Sequence, residues 1–453
     1  MPRRRSTASR LLPPQMVAYL NRFGLALHDA AFHGDVRRVA LLAGRGSIDP
    51  NIRAPGGWTP LMIAVEGDHE DCTKILQNNG ANASMANDQG FTPLHFCAYT
   101  GNLAILKMLL EAGADLAAVN STTGSTALHI AAEEGHSEVL TALIEAGANL
   151  NYRTYEGDTP LYTSCESAQP GAVRVLLRAG ADPLLTSTDS LRQTFIPLEI
   201  AAFKGHSDVV RELLQQLDIG ACGGETRGVR ALRGAAQEGH IGTMSILTDA
   251  GVVDTGEALV DAAGYCGEAA VRFLLQRRRR QHLSMDTTCG DAYANARGKN
   301  GKTAVISGIL LCRSGSPRVV RMLIDAGADT ASAVQLTMPD EMAPFFRGTP
   351  LDYLKVYTGQ KKEDGASEAT MNILEAIRRL LMRVEAVHAV SWLWHTSSDV
   401  PTIAHAAHGI ARTKTAAAAA ASTPLIRMLP ILRRRANKRG VVLAPLFRRS
   451  SKP

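Results

Sequence analysis

The feature that most constrains this chain is a three-residue phrase that returns at an almost fixed interval. Thr-Pro-Leu stands at Thr59-Pro60-Leu61, Thr92-Pro93-Leu94, Thr159-Pro160-Leu161 and Thr349-Pro350-Leu351. Weaker copies stand at Thr126-Ala127-Leu128, Ile196-Pro197-Leu198, Arg230-Ala231-Leu232 and Thr303-Ala304-Val305. The middle positions 60, 93, 127, 160, 197 and 231 lie 33, 34, 33, 37 and 34 residues apart. Gly-Ala followed by Asn or Asp keeps the same phase at Gly80, Gly113, Gly147, Gly180 and Gly327. A period of this length marks supersecondary units that cannot bury their apolar faces alone, so neighbours stack and share one continuous core.

The chemistry within one period is that of two helices. Thr at the N-cap accepts a bond from an orphan backbone N–H. Pro follows at the first helical position, where its missing N–H costs nothing. Leu94 or Leu128 then points inward, and small pairs such as Ala131-Ala132 let neighbouring helices approach closely. Gly101, Gly135, Gly205 and Gly239 stand where a short first helix should end in a left-handed residue. A second helix follows, apolar at i, i+3 and i+4, as in Val139, Leu140 and Leu143.

These residues resemble the ankyrin repeat family. The match is carried by Gly90-Phe91-Thr92-Pro93-Leu94-His95, by Leu109-Leu110-Glu111-Ala112-Gly113-Ala114-Asp115, and by Gly124 through His136. The fold the resemblance implies is all-α: an ankyrin-repeat solenoid of helix–turn–helix units of about 33 residues with short β-turn connections, plus disordered basic tails. About ten copies fit residues 24–381. Residues 1–23 read as a basic, disordered N-terminal tail. Residues 24–215 read as regular repeats, opened by a cap near Leu27, and residues 216–366 as degenerate repeats with insertions near 277–298 and 330–347. A capping helix is expected over 367–395, and a basic low-complexity tail over 396–453.

Charge divides the chain in the same places. The net charge is +6, yet residues 1–28 and 400–453 together hold sixteen Lys or Arg and no acid. The middle therefore sets 33 basic residues against 43 acids, a net of −10. An acidic body with basic tails gives no reason for the repeats themselves to bind nucleic acid. No apolar run reaches the roughly 18 residues that span a bilayer. The seven cysteines are scattered without C-x-x-C spacing, so neither a zinc ribbon nor a disulfide framework is expected.

Catalytic, cofactor and metal sites are not expected. His95 and His129 follow the Leu of the repeated phrase, but neither has a nucleophile or carboxylate at a spacing that recurs. The resemblance implies instead that this His bonds within its turn and toward the next repeat. Gly298 to Thr303 is similar to a phosphate loop only in part, since the pattern needs Gly where Ala296 stands.

A non-catalytic scaffold or adaptor for a partner protein is the function the resemblance implies. Its contact residues would be those around each turn and late in each first helix. Here they are Trp58, Glu66, Asp88, Phe91, Tyr99, Glu133, Glu134, Tyr155, Glu156 and Asp158. Large aromatics of this kind are typical interface anchors when exposed, and the surrounding acids suit a basic, partly apolar segment. A second reading belongs to the C-terminal tail. There Arg433, Arg434, Arg435, Lys438 and Arg439 form a run suited to nuclear import, nucleic acid or an anionic membrane surface. The chain is expected in the cytoplasm on the first reading and in the nucleus on the second.

Overall fold

The repeated phrase becomes a helix start by direct hydrogen bonding. Thr59 Oγ1 accepts from the Met62 N–H at 3.3 Å, and Thr159 Oγ1 from the Tyr162 N–H at 3.2 Å. The chain is described by a computed structural model over residues 26–44, 48–188, 193–216, 225–265, 267–282, 293–298, 301–310, 316–330, 334–337, 345–363 and 366–396. The two basic tails and the run at Arg433 lie outside these residues.

Two compact units divide the chain at Asp254. Among the described residues the first holds seven helix pairs. They are α1 Ala26–Phe32 with α2 Val36–Gly44, α3 Pro60–Glu66 with α4 Glu70–Asn78, and α5 Pro93–Thr100 with α6 Leu103–Glu111. Next come α7 Ala127–Glu134 with α8 Ser137–Glu145, α9 Pro160–Glu166 with α10 Pro170–Arg178, α11 Pro197–Lys204 with α12 Ser207–Gln216, and α13 Glu225–Glu238 with α14 Ile241–Asp249. Each first helix packs on the first helix of the next pair, and each second helix on the next second helix. This gives a two-layered all-α solenoid. Leu61, Leu94, Leu128, Leu161, Leu198 and Leu232 repeat at one phase, and all are buried between the layers.

Left-handed residues end the first helices. Gly101, Gly135, Gly205 and Gly239 have φ of 81°, 81°, 78° and 79°, while Asp68 and Ala168 take that place in two other copies. The residue that follows leans back over the preceding repeat. His69 donates to the Phe32 carbonyl, His136 to Tyr99 and His206 to Glu166, each through Nε2 at 3.0–3.1 Å, and the Gln169 amide donates to the Glu133 carbonyl. The recurrence of these histidines is therefore structural.

Successive turns are joined by one backbone bond per step. The N–H groups of Asp88, Ser121, Tyr155 and Thr188 donate to the carbonyls of Gly56, Gln89, Thr123 and Glu156. Where the spacing stretches to 37 residues, the extra chain forms two short antiparallel strands, β1 Ser187–Thr188 and β2 Thr194–Phe195.

The second unit contains α15 Glu257–Tyr265, α16 Glu268–His282, α17 Ala304–Leu310, α18 Ser316–Asp325, α19 Pro350–Glu363 and α20 Glu368–Thr396. The same alternation holds, with α15 on α17, α17 on α19, α16 on α18 and α18 on α20. A side-chain clamp shows the register. Asn295 Oδ1 accepts from the Asp329 N–H at 2.6 Å, as Asn51 accepts from Asn82 and Asn151 from Asp182 in the first unit. Two features differ from the sequence expectation. Arg277 to Arg280 belong to α16 rather than to an insertion, because Arg is a good helix former and continues the helix begun at Glu268. The segment 330–347 contributes β3 Val334–Thr337, which pairs antiparallel with β4 Phe345–Gly348.

Candidate protein-binding surface

In each first helix the fourth and seventh residues after the N-cap are i,i+3 neighbours and lie on one face. Down the first unit these pairs are Ile63/Glu66, Phe96/Tyr99, Ile130/Glu133, Thr163/Glu166 and Ile200/Phe203. Glu66, Phe96, Tyr99, Glu133, Thr163, Glu166 and Phe203 are all half-buried, so each presents part of its side chain outward.

Aromatic rings gather at two places along this face. The Trp58 ring lies 4.7 Å from that of Phe96, and Phe91 lies 5.9 Å from the same ring. Three first helices along, Phe195 of β2 sits 6.1 Å from Phe203 of α11. Trp58 and Phe91 were expected in solvent. They are half-buried instead, because Phe96 gives their rings an apolar neighbour to cover. Tyr99 is half-buried as well. Tyr155 alone stands out, 68% exposed, with its ring over Gly124, where a Cβ would approach to 2.8 Å.

Between the aromatic groups the surface is acidic. Burial pushes the Glu133 carboxyl up to about 7, and the charges of Glu134, Glu166 and Asp158 push in the same direction. Burial disfavours the charged form and the neighbouring carboxylates add to this, so Glu133 is partly protonated near neutral pH. Glu134, Glu156 and Asp88 are exposed, and Asp88 holds Arg53 at 2.9 Å. Asp158 is half-buried and accepts a bond from the Ser187 hydroxyl, which removes one of its oxygens from the free acidic surface. The basic positions further along are also engaged. Lys204 lies 3.7 Å from Glu166, and Arg230 lies 3.2 Å from the buried Glu199. Glu199 takes the place of the signature His, and its carboxylate accepts from the Ile196 N–H at 3.1 Å.

The histidines of the repeated phrase serve the scaffold. His95 Nδ1 accepts from the Thr92 N–H at 3.1 Å, and its Nε2 bonds the Ser125 carbonyl of the next turn at 3.1 Å. His129 does the same with Thr126 and with the carbonyls of Asp158 and Tyr152. This arrangement needs the neutral Nε2–H tautomer. Burial holds both rings near pKa 4. Among the described residues no group of three His, Cys, Asp or Glu could hold a metal ion, and no helix is long and apolar enough to cross a membrane.

A family profile described as ankyrin repeats, in three copies, matches residues 27–120 and 116–187. The chain carries ankyrin repeats. It is 33% identical over 199 residues to human ankyrin repeat and SOCS box protein 16, a span of 42% of each chain. It is 31% identical over 153 residues to the Drosophila melanogaster neurogenic locus Notch protein, covering 30% of this chain and 6% of that one. It is 36% identical over 91 residues to the Arabidopsis thaliana E3 ubiquitin-protein ligase KEG, covering 19% of this chain and 5% of that one. The chain thus spans less than half the length of the curated relatives it matches. Ankyrin repeats are protein-interaction modules, and the face just described alternates aromatic rings with charge. Sequence reasoning missed Phe96, Phe195 and Phe203. Their signal was present, since Phe203 holds the phase of Tyr99 and Phe195 that of Phe91.

Proposed function

We propose that the chain is a non-catalytic adaptor that holds a partner protein on the first-helix face of its ankyrin array, between Trp58 and Lys204. The observation that carries this reading is the juxtaposition on one face of aromatic rings with a cluster of carboxylates, Glu133, Glu134 and Glu166, in which burial first and the neighbouring charges second hold Glu133 above the ordinary range. Such a cluster is electrostatically unfavourable by itself and is relieved by a cation. A partner bearing Lys or Arg supplies that cation and gains on-rate from the field, while the rings supply contact area. The two ends of the surface are tied together by buried packing, so the face is preorganised and little ordering cost falls on the adaptor side.

The test is affinity capture from a cell extract on the full chain, compared with the variant Tyr155→Ala/Glu134→Lys/Glu156→Lys. All three positions are exposed, so the fold is untouched. Loss of specific partners with an unchanged melting curve supports the adaptor reading. Retention of every partner assigns binding elsewhere and sinks it.

A further inference from the structure

The order of chemistry along the face carries more than the adaptor reading, on which this inference rests. Starting at α5, the sequence of sites is aromatic, acidic, acidic, aromatic. Trp58, Phe91 and Phe96 stand at one end, Glu133 and Glu166 in the middle, and Phe195 with Phe203 at the other. Each site belongs to a successive first helix, α5, α7, α9 and α11, and these pack side by side.

We propose that the face reads an extended partner segment with two apolar anchors flanking a Lys- or Arg-bearing centre. The spacing follows from packing geometry. Adjacent packed helices lie about 8–10 Å apart, so three steps from α5 to α11 cover about 24–30 Å. An extended chain advances about 3.3 Å per residue, which sets the anchors about seven to nine residues apart. A helical segment advances only about 1.5 Å per residue and would need roughly twice as many. The anchors also differ in what lies beside them. The α5 site is three rings deep, whereas the α11 site is a ring pair next to the exposed Lys204. Lys204 pairs with Glu166 at 3.7 Å, a surface pair of small worth. A cationic centre can take over Glu166 and leave Lys204 to an acidic group outside the second anchor.

The experiment is a selection on the full chain from displayed random peptides about sixteen residues long, enough to cover the span at about 3.3 Å per residue. Enriched peptides are then measured by fluorescence anisotropy against Phe203→Ala, Glu133→Gln/Glu166→Gln and, as a control on the second-helix side, Leu41→Ala. The expected outcome is enrichment of two apolar positions at the stated spacing around Lys or Arg. Each of the first two variants should weaken binding about tenfold or more, as loss of an anchor does, and Leu41→Ala should not. Phe203→Leu, which keeps the apolar bulk, serves if the alanine variant melts early, and a several-fold loss is expected there. No enrichment, or peptides without the two anchors, overturns the proposal. Peptides weakened by Glu133→Gln/Glu166→Gln but indifferent to Phe203→Ala also overturn it while leaving the adaptor reading standing. Peptides indifferent to both overturn the two together. A dimer that Phe203→Ala abolishes would make a second copy of the chain the occupant, and would equally overturn it.

Discussion

Replacing Gly101 by Ala should destabilise the array more than replacing Gly113, although both glycines are left-handed helix ends. Gly101 has φ +81°, and a Cβ there would stand 2.5 Å from Nδ1 of His136. Gly113 has φ +74°, and nothing lies within 4 Å of its would-be Cβ. Gly113→Ala therefore meets left-handed strain alone, about 1–2 kcal/mol, offset by about 0.4–1 kcal/mol from a stiffer unfolded chain. Gly101→Ala meets the same strain and also expels the imidazole. That breaks the 3.0 Å bond from His136 Nε2 to the Tyr99 carbonyl. Losing such a bond and stranding its acceptor costs about 1–3 kcal/mol. Equilibrium urea unfolding followed by far-UV circular dichroism reads the difference. The cycle with His136→Ala isolates its cause, because without the ring the new methyl has nothing to strike. The two substitutions should be coupled, by about 0.5–3 kcal/mol. Equal losses for the two glycine variants, or strict additivity in the cycle, would refute the role assigned to His136.

Other consequences follow from burial and charge. Leu94, 1% exposed, should cost about 2–5 kcal/mol on truncation to Ala, and a neutral result in the same unfolding assay would misplace that repeat's phase. His95 and His129 have folded pKa values of about 4 against an ordinary 6.5. The native state therefore binds fewer protons than the unfolded state between pH 4 and 6.5. Stability should be fully present above pH 6.5 and fall with acid, by up to about 3 kcal/mol per histidine. NMR titration should show both rings neutral at pH 5, and midpoints near 6.5 would contradict their buried capping role. Glu133 has the opposite sign. Its folded pKa of about 7 exceeds the ordinary 4.5, so the stability tied to it is present below 4.5 and lost as pH rises through 7. Glu133→Gln should flatten that decline. A cationic peptide favours ionised Glu133, so its affinity should climb from pH 6 to 8 in the native chain and stay level in Glu133→Gln. An affinity independent of pH in both would remove Glu133 from the site.

A feature is legible in the sequence to the extent that its cause is local. Thr59, Pro60 and Gly101 act through their own turn, so their roles could be read from the phrase and its period. His95 needed one step more, since its second partner, the Ser125 carbonyl, lies 30 residues on. The binding face needed two. Trp58 and Phe91 read as solvent-exposed, and only the stack shows that Phe96 sits beneath both. Phe203 was legible only through its repeat phase, which puts it on the same face as Tyr99. Arg277 to Arg280 misled for the reverse reason. The 46-residue gap between the anchors Ala258 and Ala304 suggests an insertion that takes in these residues, yet the helix whose buried residues Ala270, Val271 and Leu274 precede them runs on through all four.

The central claim is that the ankyrin face, rather than the basic tail, holds the partner. The direct measurement is affinity capture with mass spectrometry on the full chain and on the chain ended at residue 399. The account expects the same protein partners from both, and their loss when Glu134 and Glu156 are changed to Lys and Tyr155 to Ala. Partners or nucleic acid that disappear with residues 400–453 and ignore the face variant would contradict it.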